Sequence, residues 1–426
     1  MPSPDEQPQG VALDDEQLCA VEMALREPVS VITGPPGTGK TTILREVVAR
    51  AEATGADPEN DVLLTAPTGR AARRMTEATG AQACTIHRLL EYHPREGFRR
   101  NGDAPLDGKL LCVDESSMVD LPLMAALLEA VPEEMRLVLV GDADQLPPVG
   151  PGAPFQDLIR SGAVPVTRLA HIYRQGAGSI IPRNAARINA GELPVPEEGN
   201  PAYTHAVYPR GERERMAQDV LAAVRRLLTA GYVPDDVQVL VPLRKGPLGT
   251  VALNQALRDV LNPGGKGEFQ AGGSTFCIGD RVMQVRNDYE KGIFNGEIGK
   301  VVRFGETEIK DPVTGRRRAA PAMFVAYDEG TGKREVAYSA GEAAGDLQLA
   351  YASTVHKGQG GQFPAVVMAL GWDAYLLLRR NLVYTGLTRA RETVVMITEA
   401  GALEAAIMTP GAEERHSALV QRLRAG

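Results

Sequence analysis

Cysteine is scarce in this chain. Cys19, Cys84, Cys112 and Cys277 are the only four in 426 residues, and no two share a paired spacing. That excludes a disulfide framework or a thiolate metal cluster, and it fits a reducing, cytoplasmic setting. Long apolar runs are missing too. None approaches the ~20 residues of a membrane-spanning helix, and the opening MPSPDEQPQG lacks the apolar core of a secretion signal. Positive charge is not in excess: 46 Lys and Arg stand against 54 Asp and Glu, a formal net charge of −8. Such a chain does not coat nucleic acid non-specifically, so any contact of that kind must come from a local groove. No internal repeat, long low-complexity tract or nuclease-like carboxylate cluster stands out, so strand cutting is not expected. What remains is an ordinary globular composition in a chain too long for one core, which predicts two or three domains.

Apolar runs of strand length, Val29–Thr33, Val62–Thr65, Leu110–Val113 and Leu137–Val140, alternate with the helical patterns Gln17–Arg26, Ala71–Ala78 and Leu121–Ala130. Continuous apolar strands between helices predict a parallel sheet covered on both faces. A second set follows in Val237–Val241, Ala350–Val355, Val366–Leu370 and Thr393–Thr398, with helices over Val251–Leu261 and Asn381–Leu387. The expected fold is therefore α/β, two parallel-sheet units with a nucleotide in the cleft beyond their strand ends. Two inserts interrupt it. Residues 91–105, EYHPREGFRRNGDAP, read as a protruding hairpin bearing Phe98, with a polar loop as the alternative. Residues 274–339 switch to short strands joined by turns such as Asn295-Gly296, which predicts a small β-barrel.

The chemistry starts at Gly34-Pro35-Pro36-Gly37-Thr38-Gly39-Lys40-Thr41-Thr42, between an apolar strand and the helical pattern from Ile43 to Ala53. Small residues at Gly37, Thr38 and Gly39 let backbone N–H groups curl around phosphates at a helix N-terminus. Lys40 reaches the β/γ-phosphates, Thr41 holds Mg²⁺, and Thr42 continues the turn. The expected cofactors are ATP and Mg²⁺. Downstream, the strand Leu110–Val113 ends in Asp114-Glu115. One carboxylate can hold the metal and the other can polarise the attacking water, although a helix cap is the plainer reading of the pair. Gln145, after the next strand, is placed to sense the γ-phosphate.

Taken in order, GPPGTGKTT, DESS, GDADQLPPVG, the YRQ at Tyr173, STVHKGQGGQF from Ser353 and VYTGLTRARE from Val383 resemble the motif series of superfamily 1 helicases. The Leu-Pro-Pro-Val version, the small inserted barrel and the Thr-Val-His-Lys run resemble its RecD-like 1B branch. That resemblance implies an ATP-dependent DNA helicase moving 5′ to 3′ on single strands, acting as a monomer at a duplex junction, in repair or recombination. It implies two RecA-like domains, 1–90 with 106–175 and 176–273 with 340–426. A pin hairpin at 91–105 and an SH3-like barrel at 274–339 are inserted in them. It assigns Gln17 to the adenine edge, Arg174 and Arg389 to the γ-phosphate from the second domain, and Gln359 and Gly360 to the nucleotide. It assigns Pro67, Thr68, Arg70, His87 and Arg88 to the strand from one side. Thr354, His356, Lys357 and more weakly Lys245 contact it from the other, with Phe98 on the pin. Arg391 is read as a structural or solvated neighbour, and the Arg316-Arg317-Arg318 run as a solvated turn.

The chain also departs from that pattern. Where relatives carry Ser-Gln-Gly-Ser-Glu-Phe, this one has Gly358-Gln359-Gly360-Gly361-Gln362-Phe363, which removes two hydroxyls and a carboxylate. Larger relatives often carry an N-terminal domain, so a short or truncated form is expected. An RNA helicase of the same type, or a nucleotide-dependent binding module without motor activity, stays open from the residues alone.

Overall fold

The computed structural model describes residues 13–58, 60–173, 180–310, 317–329, 332–411, 415 and 417–425. Two parallel sheets dominate it. The first has six strands, and its centre is formed by Val62–Ala66, Leu110–Val113, Arg136–Gly141 and Val29–Thr33 in that order. The edge strands Ala83–Thr85 and Val166–Arg168 close its two sides. Successive residues of a strand point to opposite faces, and here both faces are apolar. Ile32, Leu64, Cys112, Val138 and Val140 pack against the helices Asp15–Arg26 and Lys40–Ala53. Val31, Leu111, Val113, Leu137 and Leu139 pack on the other side with Phe155 and Met124.

The second sheet has five parallel strands, with Val237–Val241, Phe363–Leu370 and Ala390–Glu399 at its centre. Ala352–Thr354 and Tyr203–Tyr208 are its edges. Its two faces again split the alternate residues: Leu240, Val366, Met368 and Met396 face one cluster, Val239, Val241, Val367 and Ile397 the other. Burial on both faces explains why these strands read as unbroken apolar runs.

The insert is an antiparallel five-stranded sheet, ordered Gly332–Ser339, Arg317–Glu329, Ile298–Lys310, Arg281–Gln284 and Leu347–Leu349. Two of its strands run for 13 residues, far longer than the five-residue segments anticipated. Arg317 and Arg318 consequently belong to a strand rather than to a turn. The hairpin at 91–105 is present in miniature, Tyr92–His93 pairing with Gly97–Phe98. No helix among the described residues is long and apolar enough to cross a membrane.

The C-terminal segment crosses back to the first sheet's side. Arg415 donates to the carbonyls of Gly150 (2.5 Å), Gly152 (2.7 Å) and Pro148 (2.7 Å). Ser417 donates to Asp157, and the helix Leu419–Ala425 lies on the helix Pro154–Ser161. Arg415→Ala removes a guanidinium that carries three carbonyls, worth about 1–3 kcal/mol. The expected result is faster proteolytic trimming of the last residues with the sheets intact; an unchanged cleavage rate would count against the tail being held this way.

Candidate nucleotide site and nucleic-acid interface

The phosphate loop is shaped by glycine. Gly37 (φ 92°) and Gly39 (φ 82°) both take left-handed conformations, and a Cβ on Gly39 would collide with the Gln17 amide. The helix Lys40–Ala53 starts there with no side chain capping it, so first-turn N–H groups point at the loop unclaimed. Lys40 Nζ folds back onto the carbonyls of Gly34 (2.6 Å) and Pro35 (2.9 Å). Burial lowers the Lys40 pKa, and the charges of Asp142, Glu115 and Asp114, in that order, oppose the shift. Thr41 is exposed at the mouth and Thr42 half-buried behind it.

The carboxylate pair stands beside the loop. Asp114 follows the buried strand Leu110–Val113, and its carboxylate accepts the Glu115 N–H at 2.8 Å. Its pKa is pushed up to about 6, first by burial and then by the Glu115 charge. Glu115 sits in the left-handed region (φ 50°, ψ 36°), directly before the turn Ser116–Met118. A non-glycine residue in that region costs about 1–2 kcal/mol, and such strain concentrates at working residues. Glu115 holds the N-cap position of that turn, with no side-chain hydrogen bond capping it.

Gln145 is buried, its Nε2 donating to Asp142 (3.2 Å) while Oε1 has no partner. Gln17 is buried as well, but both ends of its amide are engaged: Oε1 accepts the Asp14 N–H and Nε2 donates to Thr38 O at 3.1 Å. In this state it braces the phosphate loop instead of presenting a free edge. Arg174 lies outside the described residues. The Tyr173 N–H before it donates to Gly37 O at 2.8 Å, which pins that segment to the loop.

Arg389 differs from a free cleft arginine. It is buried, donating to Thr385 O (3.1 Å), Gly361 O (3.2 Å) and Thr388 Oγ1 (3.4 Å), all on the second sheet's side. Its charge still acts on Lys40, Arg70 and Arg74 across the seam. Gln359 is buried and reaches across to the first unit, donating to Leu146 O at 3.2 Å. Gly360 O accepts from Arg74 (3.0 Å). Arg391 lines a cavity of about 260 Å³ with Pro35, Pro36, Ile172, Tyr384 and Thr388, so it borders the phosphate loop.

Along the expected strand path, Pro67 and Thr68 precede the helix Gly69–Thr79, with Thr68 Oγ1 accepting the Ala71 N–H. Arg70 turns onto the Phe363 ring, 5.2 Å from its centroid, and burial pushes its pKa down to about 10. A Cβ on Gly361 would stand 2.9 Å from Arg70 Nη1, so the serine of relatives does not fit beside this arginine without movement. His87 packs with Tyr92 (5.6 Å) and Phe98 (5.8 Å), and Tyr92 meets Tyr289 of the insert at 5.5 Å. Burial lowers the His87 pKa against the opposing charge of Asp120, and the lowering favours the neutral ring. Arg88 and Lys245 are exposed. Thr354 ends an edge strand; His356 and Lys357 follow, both with pKa values lowered by burial, Lys357 also by Arg244.

Residues 17–151 match the AAA domain family, 253–314 the ATP-dependent RecD-like DNA helicase SH3 domain, and 349–397 the UvrD-like helicase C-terminal domain. An ATP-dependent RecD2 DNA helicase of Deinococcus radiodurans is 40% identical over 413 residues, 97% of this chain but 53% of its own length. This chain thus spans about half of that relative. A RecBCD enzyme subunit RecD of Mycobacterium tuberculosis is 32% identical over 92% of this chain and 70% of its own length. Among solved structures, Bacteroides Pif1 bound to ssDNA shares the fold at a TM-score of 0.55, with 19% identity and 97% of each chain covered. The ordered motifs, the two parallel sheets with their antiparallel insert and these relatives agree: the chain belongs to the RecD-like family of superfamily 1B DNA helicases.

Proposed function

We propose that this chain is an ATP-driven motor that travels 5′ to 3′ along single-stranded DNA and separates duplex at a junction, in DNA repair or recombination. The observation that carries the reading is one seam. Asp142, Glu115 and Asp114 of the first unit act electrostatically on Lys40, and Arg389 of the second unit acts on it there too. We assign domains 1–90 with 106–175 and 176–273 with 340–426, with inserts at 91–105 and 274–339, and Leu347–Leu349 returns to complete the second insert's sheet.

In this reading the first-turn N–H groups of Lys40–Ala53 receive the phosphates, and Lys40 exchanges its two loop carbonyls for phosphate oxygens. Arg389 exchanges Thr385 O and Gly361 O for the γ-phosphate, so ATP draws the second sheet's residues toward the first. Arg174 supplies a second cation to the γ-phosphate. Glu115 takes the proton of the attacking water, which Gln145 Oε1 orients. Thr41 and Asp114 offer the hard oxygen donors that suit Mg²⁺, and the raised Asp114 pKa marks a carboxylate in want of a cation. When bound there, the ion neutralises charge on the β- and γ-oxygens. Gln17 meets adenine after releasing Thr38, and Gln359 with Gly360 carries the nucleotide state into the second unit.

The DNA backbone runs past Pro67, Thr68, Arg88, Thr354 and Lys357, with Arg70, Lys245 and His356 beside them. Bases meet the ring cluster of His87, Tyr92 and Phe98 at the pin. Unwinding of a duplex with a 5′ single-stranded tail, compared with a 3′ tail, tests the polarity. Strand separation is expected only from the 5′ tail; unwinding only from a 3′ tail overturns it.

A further inference from the structure

Tyr384 has no part in the scheme above and Asp142 enters it only through its charge, yet the two form a buried polar contact between the two units. Asp142 follows the strand Arg136–Gly141 and is 1% exposed. Its Oδ1 accepts the Asp144 N–H at 3.0 Å. Its Oδ2 accepts twice, from Gln145 Nε2 at 3.2 Å and from Tyr384 Oη at 2.9 Å. Tyr384 is fully buried on the helix Arg380–Leu387 of the second unit. Its neighbour Thr385 accepts the Leu146 N–H at 2.9 Å, and Gln359 donates to Leu146 O. Asn189 Nδ2 donates to Asp144 Oδ2 at 3.0 Å, so residues 142–146, with Gln145 among them, are stitched to the second unit by four hydrogen bonds among the described residues.

The chemistry gives the tyrosine bond a direction. Burial and the adjacent Asp142 raise the Tyr384 pKa well above its ordinary value, so the phenol stays protonated and donates. Asp142 is also the strongest opposing charge on Lys40. A carboxylate stripped of its phenol donor would hold that ammonium more tightly, against the pull of incoming phosphates. It would also let the Gln145 amide turn, because the oxygen that fixes Nε2 would no longer be held in place.

We propose that Tyr384 is a positioning residue for ATP hydrolysis: reaching from the second unit, its hydroxyl fixes the Asp142 carboxylate and through it the Gln145 amide. Cleft closure and orientation of Gln145 then become one event. Gln145 Oε1, left without a partner, is the acceptor that this arrangement aims at the water. The proposal rests on the ATP-driven reading.

The test is steady-state ATPase of the full chain at saturating single-stranded DNA, for wild type, Tyr384→Phe, Asp142→Asn and the double variant. Tyr384→Phe is expected to lower kcat about tenfold with KM for ATP changed less than about twofold, the pattern of a contact expressed in the transition state. Asp142→Asn should cost much less in the Tyr384→Phe background than in wild type, since the two act as one unit. Binding of a fluorescent ATP analogue, measured in parallel, shows that each variant is folded. An unchanged kcat in Tyr384→Phe overturns the role, as does a change in KM alone or strictly multiplicative effects. A wild-type chain with no ATPase overturns the motor reading and this role with it, whereas an active wild type with an unaffected Tyr384→Phe overturns only the role.

Discussion

Replacing Lys40 by Ala is expected to reduce ATP hydrolysis on the order of a thousandfold, with the fold retained. The ammonium is the one cation of the phosphate loop, and it rests on Gly34 O and Pro35 O. Transfer of a phosphoryl group depends on fixed charge near its equatorial oxygens. Stability should change little, because two opposing effects meet. The variant removes a charge that burial disfavours, but it leaves Asp114, Glu115 and Asp142 with less compensation. Asp114 and Asp142, on which Lys40 acts, can respond by holding protons more tightly, which bounds the cost. Circular dichroism and thermal melting check the fold, and a phosphate-release assay checks the activity. Retention of more than about a tenth of wild-type turnover would sink the assignment of Lys40.

Glu115 separates activity from stability in a way few positions do. Glu115→Gln keeps size and shape but removes the base, so kcat should fall on the order of 10²–10⁴-fold. Its left-handed backbone (φ 50°) adds a second expectation. Glu115→Ala and Glu115→Gly both lose hydrolysis, but only Ala keeps a Cβ in a conformation that penalises one. Gly is therefore expected to be the more stable of the two by about 1 kcal/mol, the reverse of their order in a helix interior. Denaturant melts of the two variants decide it. If Glu115→Ala proves the more stable, the left-handed conformation carries no strain; if Glu115→Gln retains turnover, the base lies elsewhere.

How much of this was legible beforehand differs between loop and seam. Val29–Thr33, Leu110–Val113 and Val237–Val241 fall where their apolar runs place them, because burial on both faces leaves no polar interruption. Tyr203–Tyr208 was missed: as an edge strand it carries the adjacent polar residues Thr204 and His205, so neither an unbroken apolar run nor an alternation marks it. The 13-residue ribbons of the insert were cut short, since their outer halves are solvated and carry no apolar alternation. At the site, Arg391, read as a structural or solvated neighbour, is exposed and borders the phosphate-loop cavity. Arg244, which acts on Lys357, was passed over in favour of its neighbour Lys245.

The sequence alone determined the phosphate loop, the carboxylate pair and the α/β alternation. Each is written in a few contiguous residues whose backbone geometry follows from glycine, burial and helix termini. Tertiary structure decided which partners the polar side chains take. Arg389 rests on its own carbonyls, Gln17 braces the loop, and Tyr384 meets Asp142 across 242 positions of chain. Partners so distant in sequence leave no local pattern, since only the packing of one sheet against the other brings their atoms within bonding distance.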